Sequence, residues 1–333
     1  MYKPKFSILV AVYNAERHLR QCLDSLIHQT LNEIQIICID DCSTDNSLAI
    51  LNEYAEKDSR IVVLHQDRNE GQAIARNRGL ELAEGEYTTM LDSDDWMDVD
   101  SLEKIYETLK QNEADCALFD LIMVHPDHEG KYAYRTDKTT FTGEEAFRQS
   151  MDWSIHGLYA IRTDIHRKYP FDTSCRLYSD DNTSHLHFLH SNKVVRSEGR
   201  YYYRIHNQSM TNSVSILHFE HMKANMSMKR QLEEEIAAGN ISDGEQVLNN
   251  YEAYRMKVIV DAYWHLFEHK NDFTPEERKK IEADIKSALA TIEPKRISAS
   301  HKLKFGYYPF KSYNMFKMQE ETYFKLRKLI KRH

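Results

Sequence analysis

The chain has 333 residues, 41% apolar and 29% charged, with a formal net charge of −8. This is the composition of an ordinary globular protein, and its acidic balance argues against general nucleic-acid binding. No stretch reaches the roughly 18 consecutive apolar residues of a spanning helix. The opening "MYKPKFSILVAVYNAERHL" is too β-branched, and its apolar run too short, for a signal peptide. The five cysteines are scattered without a CxxC pair, which predicts reduced thiols in a cytoplasmic setting and no zinc site.

At about 100–200 residues per domain, the length predicts two or three units. "FSILVAV" (6–12) is a buried strand by its β-branched run. The helix after it carries Leu19, Cys22, Leu23, Leu26 and Ile27 at helical spacing, with Asn14 as its N-cap. "IQIICID" (34–40) is the second strand, and Ser43 or Thr44 caps the helix that follows. "RIVVLHQ", "EYTTML" and "DCALFDLIMV" read as further strands. They alternate with helices over "GQAIARNRGLELAEG", with Gly85 as C-cap, and "SLEKIYETLKQNE".

This alternation predicts an α/β fold, a mainly parallel sheet flanked by helices. In such sheets ligands bind beyond the carboxyl ends of the strands. After residue 125 the pattern becomes mixed, with short strands at "HGLYAIR", "NKVVRSE" and "RYYYRIH" and a helix near "DNTSHLHFLH". From about Ile216 the chain reads as helices, one beginning with Thr274 as N-cap, Pro275 at the first position and Glu277 closing a capping box. The boundary falls near 213, giving units 1–213 and 214–333.

Three acidic clusters fall at strand or helix ends. Asp92 and Asp94 end a strand, where two carboxylates hold Mg²⁺ or Mn²⁺ beside substrate phosphates. The ordinary alternative is a solvated turn with Asp95 capping the next helix. An EF-hand is excluded, because Met97 stands where the loop needs glycine. Asp40 and Asp41 follow the second strand, where a carboxylate accepts a hydrogen bond from a base or ribose. Capping alone does not require both. Asp180 and Asp181 open a helix, as a general base over a substrate hydroxyl or as favourable partners of the helix dipole. No GxGxxG follows the first strand and no GxxxxGK[ST] occurs, which disfavours nicotinamide and P-loop chemistry.

In this order, "SILVAVYNAERHLRQCLDSLIHQT", "IICIDDCSTDNSLAIL", "EGQAIARNRGLELAEGEYTTMLDSDDW" and "YYYRIHNQSMTN" resemble the family 2 glycosyltransferases with the GT-A fold, over about the first 210 residues. The resemblance implies an inverting transfer of sugar from a nucleotide donor, usually a UDP-sugar, to a glycan or lipid-linked acceptor, with Mn²⁺ or Mg²⁺ as cofactor. It places Tyr13 near the uracil, Asp41 on the uracil edge, and Arg76 near the diphosphate or organising the nucleotide pocket. Asp92 would contact ribose or metal, and Asp94 would ligate the metal. Arg204 and His206 would approach the phosphates, with His206 a candidate metal ligand. Asp181 would be the catalytic base, at a position where the family has Glu-Asp and this chain has Asp-Asp. Where members often read "WNKLY", this chain reads "IHGLY" (155–159) with Trp153 shifted, so donor and acceptor specificity are not carried over. The reading is a glycosyltransferase of bacterial-type surface polysaccharide. The alternatives are a catalytically silent nucleotide-sugar-binding subunit and a nucleotidyltransferase, which would release pyrophosphate.

From Lys295 to His333 the chain carries eleven Lys or Arg and two Glu, a net +9, which leaves −17 on the rest. The basic aromatic tail has two readings: peripheral contact with the inner face of the cell membrane, or a helical bundle that packs on the catalytic domain or forms a homo-oligomer.

Overall fold

The structure, a computed structural model, describes residues 3–205, 214–298 and 312–330. It divides into two compact units, Met1–Ser209 and Met210–His333.

In the first unit, β1 (Phe6–Val12), β2 (Ile34–Asp40), β3 (Ile61–His65) and β4 (Tyr87–Met90) lie in the order β3-β2-β1-β4, all parallel. Interior parallel strands are covered on both faces, so they read as unbroken apolar runs. Ile8, Val10, Ile36 and Cys38 pack under α1 (Leu19–Ile27) and α2 (Ser47–Lys57). Leu9, Ile37 and Ile39 face Ala73, Ala75 and Leu80 on the other side, which belong to α3 (Gln72–Glu81). On α1 the stripe Leu19, Leu23 and Leu26 is fully buried. At roughly 1.5–3 kcal/mol per large aliphatic side chain, that stripe is enough to dock a nine-residue helix.

Beyond β4 the sheet becomes mixed. β9 (Tyr159–Arg162) lies antiparallel between β4 and β6 (Cys116–Val124). β10 (Lys193–Arg204) runs parallel to β6 and carries the short antiparallel β5 (Trp96–Met97) at its far edge. The two strands expected at "NKVVRSE" and "RYYYRIH" are one twelve-residue strand with a register shift between Arg196 and Arg200. β7 (Glu129–Lys131) and β8 (Thr140–Thr142) pair with β6 and β10. The remaining helices of this unit are α4 (Ser101–Asn112), α5 (Gly143–Met151), α6 (Thr163–Lys168) and α7 (Ser179–Leu189).

Gly85 does not cap α3, which ends at Glu81 with Leu82 in the C-cap position. It is glycine because the chain passes against β1: a Cβ there would lie 2.4 Å from the backbone nitrogen of Ser7 and 2.5 Å from the carbonyl carbon of Phe6. Gly85→Ala therefore costs about 1–3 kcal/mol by overpacking, read as a lower urea midpoint. Gly130→Ala, whose Cβ would meet nothing within 4 Å, is the control and leaves the midpoint nearly unchanged.

The second unit is helical among its described residues: a 3-10 turn at Ile216–Glu220, then α8 (His221–Ala237), α9 (Gly244–Glu268), α10 (Pro275–Ala290) and α11 (Tyr313–Ile330). The expected capping box is present, with Thr274 Oγ accepting from Glu277 N and the Glu277 carboxylate accepting from Thr274 N. Met256, Ile259, Tyr263, Ile281, Ile285 and Leu289 form the centre of this unit's core.

Candidate active site

The carboxyl ends of β2, β1 and β4 lie side by side, and the chain loops out of each. The loops after β1 and β2 are locked together. Asn14, in the left-handed region at φ 49°, accepts from Thr44 N at 2.8 Å through Oδ1. Ser43 Oγ accepts from Asn14 N at 3.1 Å, and Ser47 Oγ accepts from Ala15 N at 2.9 Å. The capping roles expected here are thus replaced by loop-to-loop bonds. α1 starts at Leu19 with His18 at its N-cap, so Asn14 does not cap it. α2 starts at Ser47 with Asn46 at the N-cap, so neither Ser43 nor Thr44 caps it. Tyr13 emerges from this locked rim with 47% of its surface exposed, an aromatic face held at the end of β1.

Asp41 is buried beside it, its N–H bonded to Val12 O at 2.8 Å. Its carboxylate accepts from Glu70 N at 2.8 Å, from Gly71 N at 2.7 Å and from the Gln66 amide. Gly71 has φ +94°, a conformation that favours glycine. Asp41 therefore pins the 66–71 loop against the sheet and fixes the start of α3. Asp40 points to the opposite face, accepting from Ser43 N at 3.2 Å and pairing with His65 Nδ1 at 2.7 Å.

The turn after β4 is fastened from behind by β10. The N–H of Asp92 donates to Tyr201 Oη at 3.1 Å, and that hydroxyl donates to Asp95 Oδ2 at 2.9 Å. Asp95 Oδ1 accepts from Arg204 N at 2.7 Å. Asp95 is thus a buried anchor and not an exposed helix cap. Burial, then the charges of Asp92 and Asp94, push its carboxyl well above the usual range. Holding Asp95 inward leaves Asp92 and Asp94 partly exposed on the outer side of the turn.

Two arginines frame these carboxylates. Arg76, 1% exposed on α3, pairs with Asp92 and lies 5.5 Å over the ring of Phe171. Arg204 donates from Nε to the Asp94 carbonyl at 2.8 Å and from Nη2 to Gln21 at 2.6 Å, and stacks 4.6 Å over Trp96.

The segment leading to Asp181 is tied to α3. Asn77 and Phe171 exchange two bonds, the Asn77 amide to Phe171 O at 2.9 Å and Phe171 N to Asn77 Oδ1 at 2.8 Å. Arg176 reaches Asn69 O at 2.7 Å. Asp172 accepts from the Asn182 amide at 2.7 Å and its N–H donates to Thr183 Oγ at 2.8 Å, which steadies the first turn of α7. Asp181 lies in that turn, partly exposed. So α3 joins both acidic clusters: Arg76 holds Asp92, and the adjacent Asn77 holds the strap to Asp181. In the "IHGLY" stretch, His156 is buried and bonded to Phe119 O at 3.0 Å. Trp153 is exposed, at φ 59°.

His206 lies outside the described residues. Among those described, no group of three or more His, Cys, Asp and Glu is placed to hold a metal ion by itself. Asp92 and Asp94 offer hard oxygen donors, which fit a Mg²⁺ or Mn²⁺ whose shell is completed by phosphate oxygens and water. Asp95, Tyr201, Asn77 and Phe171 are the positioning residues that sequence reasoning missed. Asp95 was visible as one of a run of aspartates, but nothing local tells an inward carboxylate from an outward one.

A parallel α/β sheet with acids at its carboxyl rim, backed by a mixed second half, is the GT-A architecture of a glycosyltransferase. The family model for glycosyl transferase family 2 matches residues 7–173, and the chain belongs to that family. It is 30% identical over 211 residues to glycosyltransferase GlyG of Streptococcus pneumoniae serotype 4, covering 60% of this chain and 70% of GlyG. It is 43% identical over 117 residues to the poly(ribitol-phosphate) beta-glucosyltransferase of Bacillus spizizenii, covering 34% of this chain and 18% of that protein. Among solved structures, S. aureus TarS 1–349 in complex with UDP-GlcNAc superposes with a TM-score of 0.69 at 19% identity, covering 96% of this chain and 91% of that one. At that identity the likeness is one of fold.

Proposed function

We propose that this glycosyltransferase inverts the anomeric centre of a UDP-sugar as it transfers the sugar to a hydroxyl of a glycan or lipid-linked acceptor in surface-polysaccharide assembly on the cytoplasmic side of the membrane. One observation carries the reading. Tyr13, Asp41 and the Asp92–Asp94 turn leave the carboxyl ends of three adjacent parallel strands, where such sheets bind nucleotides. TarS was crystallised with UDP-GlcNAc, and the B. spizizenii relative acts on a poly(ribitol-phosphate). Both support this substrate class.

In this reading Tyr13 offers its exposed ring to the uracil. Asp41, through the loop it pins and its one remaining acceptor site, fixes the edge of the base. Asp92 and Asp94 would hold Mn²⁺ or Mg²⁺, with His206 as a further ligand, and such an ion would supply positive charge beside the leaving diphosphate. Arg76 and Arg204 keep the acidic turn in place and add positive charge beside it. Asp181 accepts the proton of the acceptor hydroxyl as that oxygen bonds to the anomeric carbon and the bond to the β-phosphate oxygen breaks. Displacement from the opposite face inverts the centre.

The test is a panel of UDP- and GDP-sugars assayed for release of the nucleoside diphosphate, with Mn²⁺, with Mg²⁺ and with chelator. Cation-dependent UDP release from at least one UDP-sugar is expected. Release only from GDP-sugars would overturn the UDP assignment, and pyrophosphate as product would mark a nucleotidyltransferase.

A further inference from the structure

Nine large hydrophobic side chains stand exposed among the described residues, and four of them, Met315, Met318, Tyr323 and Leu326, lie on the single helix α11. That helix already has an inner face. Phe316 and Phe324 are fully buried, Phe316 packing 5.5 Å from Tyr263 and Phe324 4.5 Å from Trp264, both on α9. Lys317 pairs with Glu282 of α10 at 3.0 Å, and Tyr263 donates to Glu321 at 3.0 Å. At 3.6 residues per turn, Met315, Met318 and Leu326 fall on the side opposite Phe324, with Lys325 at their border. α11 is therefore apolar on two faces, and only the inner one is used to build the helical unit. Met318, at 67% exposed, is the most open large hydrophobic side chain described.

Charge decides among the surfaces that could cover the outer face. The segment 295–333 carries a net +9 on a chain whose remainder carries −17. A second copy joined about a two-fold axis through this face would set α11, with four Lys or Arg against two Glu, against itself, because such an interface uses the same patch twice. An anionic bilayer surface meets both properties, since interfacial helices bury an apolar face at the headgroups while lysine and arginine engage anionic lipid. No helix among the described residues is long and apolar enough to cross a membrane, so the contact lies along the surface. We propose that the outer face of α11 docks on the anionic headgroup surface of a phospholipid membrane. This stands apart from the reading of the donor site.

The experiment is sedimentation of the full chain with vesicles of phosphatidylcholine and phosphatidylglycerol in equal parts, against vesicles of phosphatidylcholine alone. The mixed vesicles are expected to bind at least about tenfold tighter, and added salt to weaken that binding. The double variant Met318→Glu/Leu326→Glu changes only exposed positions. It should bind the mixed vesicles at least about tenfold more weakly with an unchanged circular dichroism spectrum. Failure of the wild-type chain to bind, equal binding to both kinds of vesicle, or a double variant that binds like wild type would each overturn the proposal. So would a dimer in solution that the double variant dissociates, which would give the face to a second copy.

Discussion

Asp181→Asn is expected to lower kcat by about 100- to 10,000-fold, the range for loss of a positioned general base, while UDP affinity in the presence of Mn²⁺ should change by less than about threefold. The asymmetry follows from where the residue stands. Asp181 belongs to α7, steadied by Asp172 and strapped to α3 through Phe171 and Asn77, whereas Tyr13, Asp41, Asp92 and Asp94 belong to the strand ends. Asparagine keeps the size and most bonds of aspartate and removes its capacity to take a proton. Steady-state UDP release and UDP titration calorimetry on both proteins check it. Asp94→Ala is the complementary variant, and it should lose the Mn²⁺-dependent part of UDP binding. A wild-type chain that binds UDP yet turns over no donor would be the silent binding subunit. Full turnover by the Asp181→Asn variant would move the base elsewhere.

What the sequence disclosed and what it hid divide along the range of the interactions. β1 and β2 were legible because interior parallel strands are buried on both faces and so leave continuous apolar runs. The acidic clusters were legible because adjacent carboxylates repel and need a reason to be there. The insertion of β9, antiparallel between β4 and β6, left no local pattern. Neither did the bond pair between Asn77 and Phe171, 94 positions apart. Gly85 looked like a helix end, since glycine follows many helices, but its requirement comes from the close passage of β1. Ser43 and Thr44 are good capping residues by type. Their side chains went instead to the loop after β1, a competition that sequence pattern alone does not resolve.

Acidification from pH 7 to pH 5 should strip the first unit of most of its stability, through histidines the reaction does not use. His156, His185 and His187 are each pushed down to about 4 by burial, and burial, with the charges of His187 and Arg76, lowers His166 further. The bonding explains why the neutral ring is required. His156 Nδ1 accepts from Leu158 N at 3.1 Å while its Nε2 faces Phe119 O at 3.0 Å. The Nε2 of His187 faces Tyr169 O at 2.7 Å, so its Nδ1 is the acceptor for Tyr159 Oη at 2.5 Å. A second proton on either ring breaks an existing bond and buries a charge. Unfolded, these rings take up protons near 6.5; folded, they do not until about 4. Between those values the unfolded state binds more protons, so stability is present above 6.5 and is lost as pH falls towards 4. Each ring contributes a slope of about 1.4 kcal/mol per pH unit, and the four together about 6, opposed in part by the raised carboxyl of Asp95, which takes up its proton in the folded state first. Over 1.5 pH units that approaches the roughly 5–15 kcal/mol that holds a domain folded. Urea midpoints at pH 7.5, 6.5 and 5.5 read the slope, and His156→Gln, which cannot titrate, should remove about a quarter of the histidine contribution. A midpoint that stays level down to pH 5 would show that these rings are hydrated or already charged in the native protein.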